Sequence, residues 1–100
     1  MAIKQVSGTG ISRAAFKREV HAWARRIGVQ PKEVHLRQLI TKQASCSPKG
    51  RITFSTALLN APPRVRKETI VHELIHLKVP NHGKLFKQLF YSILRNDSHS

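Results

Sequence analysis

Residues 71–86 read Val71-His72-Glu73-Leu74-Ile75-His76-Leu77-Lys78-Val79-Pro80-Asn81-His82-Gly83-Lys84-Leu85-Phe86, and the spacing of their histidines constrains the fold around them. Upstream, Pro62 and Pro63 suit the first turn of a helix, where a missing N–H costs little. Pro80 disfavours continuation, so the helix is expected to run to about Val79. Four residues advance a helix by slightly more than one turn, which puts His72 and His76 on one face with Cβ atoms about 5–6 Å apart. Two imidazoles so placed can share one divalent ion. Glu73 is offset around the helix and is better placed to reach a water on that ion than to bind the ion itself. The H-E-x-x-H pattern therefore nominates His72 and His76 as metal ligands and Glu73 as general base.

A catalytic zinc needs a third protein ligand and an open position for water. Residues 83–95 contain no Asp or Glu, so the following helix cannot supply a carboxylate; His82, Asp97 and His99 remain downstream. Asp97 and His99 fall in a polar tail expected to be mobile. His82 lies six residues past His76, directly after Pro80-Asn81, where a short reversal can carry it back over the metal. Metzincins share that offset but place a glycine where Val79 stands and follow it with a Met-turn, so that class is disfavoured. The expected site is one zinc ion on His72, His76 and His82, lowering the pKa of its water and polarising a scissile carbonyl. Glu73 would take the water's proton and pass it to the leaving amine.

The remaining candidates read as structural. His21, His35 and His99 are expected at the surface or in ordinary packing, and Cys46 as a small buried hydrophobe. Glu68, one turn before His72, could orient that imidazole, although an i,i+4 pair with Arg64 is the expected use. No side chain identifies itself as the transition-state stabiliser; Tyr91 and several Arg or Lys residues stay open.

Outward from the motif, Phe16, Val20, Trp23, Ala24 and Ile27 form one stripe of a helix over Ser12 to Ile27, with Ser12 as N-cap and Gly28 as stop. From Val34 to Ile40 and from Arg51 to Ser55 the pattern alternates, with turn chemistry at Ser47-Pro48-Lys49-Gly50. This predicts a small antiparallel sheet of two or three strands, to which Lys42 to Cys46 contributes. An exposed edge there could bind an extended peptide by strand addition. A last helix follows Asn81-His82-Gly83, with Leu85, Phe86, Leu89, Phe90, Ile93 and Leu94 as its apolar face. The fold class expected is α+β.

Several runs together resemble a known family. Ser45-Cys46-Ser47-Pro48-Lys49-Gly50-Arg51-Ile52, Ala61-Pro62-Pro63, Val71 to Leu77 and Pro80 to Phe86 are similar to the YgjP-like branch of SprT-like zinc metallopeptidases. The resemblance covers about half the chain, from near Arg37 to Phe90. It implies zinc on His72, His76 and His82, a catalytic Glu73, and a minimal gluzincin-like (zincin-like) fold. The family's Trp-Gly before Ser-Cys is Gln43-Ala44 here, and its N-terminal part is usually longer. Small relatives of such peptidases can be held latent by a terminal segment, for which Asn96 to Ser100 is the candidate.

Two alternatives compete. A zinc-dependent ribonuclease of the YbeY-like kind spaces three histidines identically, but typically lacks a Glu after the first, and its Gly-Tyr-Asp is Val79-Pro80-Asn81 here. The other is a basic nucleic-acid-binding module with a structural metal, which three histidines beside a Glu fit less well than a catalytic site.

Bulk properties set the bounds. One hundred residues suit a single domain, 1–100, and 40% apolar residues place the chain among globular proteins. No apolar run is long enough to span a membrane, and none near Met1 to Val6 suggests export. The single Cys46 excludes an internal disulfide and fits a reducing cytoplasm. Eighteen Lys and Arg against five acids give +13, which favours polyanions. The expected partners are a polypeptide substrate and, through the basic surface, nucleic acid.

Overall fold

A computed structural model describes residues 10–47 and 49–98; the sequence readings of Met1 to Val6, Pro48 and His99 fall outside them. The elements are α1 (Arg13–Ile27), β1 (Glu33–Arg37), β2 (Ala44–Cys46), β3 (Arg51–Ser55), a 3-10 turn (Thr56–Asn60), α2 (Pro63–His76) and α3 (Lys84–Ser98). This is the expected α+β class. No helix is long and apolar enough to cross a membrane among the described residues.

Helix α1 begins and ends where its capping residues dictate. The Ser12 hydroxyl accepts the Ala15 N–H at 3.0 Å, and Gly28 adopts the left-handed conformation at φ 86° while its N–H bonds Ala24 O. Phe16, Val20, Trp23 and Ala24 are buried, so the stripe read from the sequence is the face that meets the core.

The sheet departs from the expected antiparallel arrangement. Strand order is β1-β3-β2, with β2 antiparallel to β3 but β1 parallel to it, in the register Val34 to Ile52 and Leu36 to Phe54. Alternation identifies a strand without fixing its partner's direction. Here the segment after β1 passes β3's position and enters β2 at the edge, so the strand that returns through the middle runs parallel to β1. The first strand also stops at Arg37 rather than Ile40, which is 94% exposed. Ile52 and Phe54 face the core two residues apart, and the Phe54 ring meets Phe16 edge-on at 5.1 Å between centroids.

Helix α2 is the centre of the molecule. Ile70, Val71, Leu74 and Ile75 are fully buried, two adjacent i,i+4 rows rather than one stripe, because α1, α3 and β2 all pack on it. It ends at His76, three residues before the expected Val79; Lys78 and Val79 both donate to Ile75 O at 2.8 Å, closing a turn that redirects the chain ahead of Pro80. The C-terminal residues Asn96 to Ser98, expected to begin a mobile tail, continue α3 instead.

A charged tie fastens α1 to α2. Arg66 is 7% exposed, donates through Nε to Glu19 Oε1 at 2.9 Å and through Nη1 to Ala61 O at 3.3 Å. Removing the carboxylate takes the Glu19 charge away from a nearly buried guanidinium, whereas removing the guanidinium leaves a Glu19 that water can reach. Glu19→Ala is therefore expected to destabilise the fold by about 2–3 kcal/mol and Arg66→Met by roughly 1 kcal/mol, read from urea unfolding midpoints. The reverse order would show that Arg66 matters through packing instead.

Candidate metal centre and catalytic cleft

The turn that ends α2 early delivers His82 to the site. His72 and His76 stand one turn apart on α2 with ring centroids 4.8 Å apart, and the loop before α3 returns His82 to within 5.0 Å of the first ring and 4.4 Å of the second. One nitrogen from each ring lies within 4.8 Å of the others. The Nε2 atoms of His72 and His82 are 3.1 Å apart. Two ligands on a tetrahedral ion at about 2.0–2.1 Å stand about 3.3–3.4 Å from each other, so His72 and His82 already stand near the spacing of a shared zinc-sized cation, and His76 completes a donor set within 4.8 Å. Among the described residues no further His, Cys, Asp or Glu joins the cluster.

Phe86 forms the wall behind this cluster. It is buried, and its ring lies 5.0, 4.8 and 4.8 Å from the rings of His72, His76 and His82. From the sequence Phe86 was only one member of an apolar face. Its place in the first turn of α3, directly after the loop that carries His82, is the signal that marks it as a neighbour of the site.

Glu73 is 9% exposed and its Oε2 lies 3.1 Å from His72 Nδ1. With Nδ1–H donating to that oxygen, the ring's Nε2 lone pair is the one turned toward His82, the tautomer a metal ligand needs. That orienting task is the lesser of the two uses expected of Glu68, which instead meets Arg64 at 3.5 Å, the expected surface pair. Among the described residues, Glu73 has no polar contact besides His72.

Glu73 separates two clefts that follow β2. On one side a cavity of about 430 Å³ is lined by Cys46, Ser47, Glu73, His76, Leu77 and Pro80. On the other a shallower one of about 320 Å³ includes Ala44, Thr69, His72, Glu73 and Phe90. Strand β2 is the outer strand of the sheet and packs on α2, so its open edge runs past the histidines. Burial pushes the Cys46 thiol up, and the Glu73 charge adds to the effect. The thiol thus stays protonated at neutral pH, in keeping with a small partly buried hydrophobe rather than a nucleophile.

The other histidines are not drawn in. His21 is exposed on α1, and His35 binds Glu33 Oε1 at 2.7 Å; His35 first and Arg51 second hold that carboxyl below its ordinary range. Tyr91 is 59% exposed on α3, beside Lys87 and Arg95, and lines neither cleft.

With this geometry established, the similarities to known proteins follow. The family model described as YgjP-like, metallopeptidase domain, matches residues 9–97. The crystal structure of the metallopeptidase zymogen of Pyrococcus abyssi abylysin is similar at a TM-score of 0.67 and 28% sequence identity, over 75% of each chain. No curated protein matches the sequence.

Proposed function

The chain belongs to the YgjP-like metallopeptidase family, and from that premise we propose that it is a zinc-dependent endopeptidase. Its metal ligands in this reading are His72, His76 and His82, its general base is Glu73, and residues 1–100 act as one domain. The observation that carries the reading is three imidazoles converging, with no fourth protein ligand among the described residues, beside a buried carboxylate at the junction of two clefts. A closed structural site would use four protein ligands. The ribonuclease alternative rested on histidine spacing alone and has no such support from the family match.

A zinc ion held there would supply Lewis acidity, acidifying a water and polarising the scissile carbonyl. The chain's own residues do the rest. An extended peptide pairs with the open edge of β2, Ala44 to Cys46, which positions its carbonyl over the histidines. Glu73 keeps Oε2 on His72 Nδ1 and uses its other oxygen to take the attacking water's proton, then returns it to the departing amine. Phe86 excludes water from the back of the cluster and holds the three rings in place.

The net charge of +13 supports substrates that are proteins associated with nucleic acid, and the single cysteine supports a cytoplasmic site of action. The test is incubation of the zinc-loaded chain with an unfolded protein, with and without DNA. Fragments that accumulate with time, disappear on chelation and form faster with DNA are the expected result. An intact substrate after prolonged incubation with a verified zinc-loaded sample removes the peptidase reading; equal rates with and without DNA remove the nucleic-acid part alone.

A further inference from the structure

Beyond Leu77 the cleft opens into a second groove whose chemistry is different. Leu77 borders both the 430 Å³ catalytic cavity and a 420 Å³ groove lined by Lys32, Lys49 and Lys78 with Gly28 and Gly50. No acidic residue is in that lining, and among the described residues none of the three lysines has a carboxylate partner. The cavity on the other side of Glu73 has the opposite character, with Glu68 and no cation. The two ends of the trough therefore differ, with Glu68, paired to Arg64, at one and three ammonium groups at the other.

The fold brings the three lysines to one groove. Lys78 follows the end of α2, and its ammonium donates to Ile27 O, at the C-terminal end of α1, at 3.3 Å. An ammonium has three donors, so it keeps capacity for a ligand. The Lys32 N–H bonds Gly50 O at 2.8 Å. Gly50 sits at φ 94°, and a Cβ there would come within 3.2 Å of Lys32 Cγ, so the absence of a side chain lets the Lys32 stem lie along the turn. Lys49 belongs to the same turn, which Gly50 N closes on Ser47 O at 2.9 Å.

Strand β2 and the turn that follows it link these features in order. Ala44 lines the acidic cavity, Cys46 and Ser47 the catalytic one, and Lys49 and Gly50 the lysine groove. A peptide laid along the β2 edge with its scissile bond near Glu73 sends one end past Leu77 and among the three ammonium groups. We propose that this groove is a specificity subsite for a carboxylate of the substrate polypeptide, an Asp or Glu side chain or the terminal carboxylate, a few residues to one side of the scissile bond. The proposal rests on the peptidase reading for its register, but the groove's affinity for the carboxylate does not depend on cleavage. A peptide is favoured over nucleic acid because the groove is short and continuous with the catalytic cleft.

Two measurements separate the possibilities. The first uses zinc-loaded Glu73→Gln protein and fluorescence anisotropy of labelled peptides at about 0.15 M salt, where only near contacts survive screening. Peptides carry Glu, Gln or Lys at each position in turn, with free or amidated C-termini. Three exposed ammonium groups around one carboxylate are expected to give about 10-fold tighter binding for Glu over Gln, at positions on one side only. The free and amidated forms tell a terminal carboxylate from a side chain. Lys32→Gln/Lys49→Gln/Lys78→Gln should bring the Glu-to-Gln ratio near one. Lys84→Gln/Lys87→Gln/Arg95→Gln, which removes the same charge from α3, should leave it in place.

The second measurement is a charge swap. Lys49→Glu is expected to turn the preference toward the Lys peptide, in binding and, where the wild-type chain cleaves, in kcat/KM. The proposal is overturned by a ratio near one in the unsubstituted groove, by equal loss in the α3 variant, or by an oligonucleotide that displaces the acidic peptide from the groove and outbinds it. Failure of cleavage with the binding pattern intact would count against the peptidase reading while supporting the subsite.

Discussion

Glu73→Gln is expected to lower peptide hydrolysis about a thousandfold while zinc stays bound at one ion per chain. General acid–base catalysis is worth roughly 10²–10⁴-fold, and in the proposed reading one carboxylate carries both the proton removal and its return, so the middle of that range applies. The substitution keeps the side chain's size and an oxygen that can accept the His72 Nδ1–H now donated at 3.1 Å to Glu73. The ring orientation that presents His72 Nε2 to the metal should therefore persist, and zinc content by atomic absorption should match the unsubstituted chain. What the amide cannot do is hold a proton at neutral pH. Initial rates on one peptide, followed chromatographically, decide the matter. A variant within tenfold of the parent would take the base role away from Glu73 even if the metal site stands.

Where local rules govern, the sequence was readable. Ser12 and Gly28 bound α1 because capping depends on the chemistry of one residue and its immediate neighbours. The two histidines of α2 met because helix geometry fixes i,i+4 neighbours. His82 was legible by elimination, since no acidic residue lies between 83 and 95. Features set by contacts across the fold were not readable. The parallel pairing of β1 with β3 depends on which side of β1 the next strand lands, and alternation is blind to that. Glu19 and Arg66 are 47 residues apart, so their ion pair left no local trace. Phe86 looked like any other apolar residue of α3 until the fold laid it against three imidazoles. The helix end at His76, rather than Val79, is set by the turn in which Lys78 and Val79 both donate to Ile75 O, which Pro80 alone does not announce.

That dependence on a loop residue makes His82→Ala the sharpest test of the metal site itself. His82 is exposed, in the connection between α2 and α3, and its side chain is no part of the buried core. Its removal should leave the far-UV circular dichroism of the metal-free protein unchanged and cost the apo fold under about 0.5 kcal/mol. Its effect on zinc should be large. Even partners that only orient a ligand are worth roughly 10–100-fold in metal affinity, so loss of one of three ligands should weaken zinc by at least about 100-fold. Stability makes this visible without any substrate. Zinc at 1,000 times its dissociation constant adds about 4 kcal/mol to a fold that alone binds it, and weakening the site 100-fold removes roughly 2.7 kcal/mol of that. For a domain of this size each kcal/mol moves the melting temperature by about 4–8 °C, so at equal zinc the variant should lack at least about 10 °C of the parent's metal-dependent rise. His72→Ala should lose the same rise and in addition strand the buried Glu73 carboxylate that now accepts from it, lowering the apo melting temperature as well. If the His82 variant kept the parent's full zinc response while the His72 variant lost it, the third ligand would have to be sought outside the three-histidine cluster.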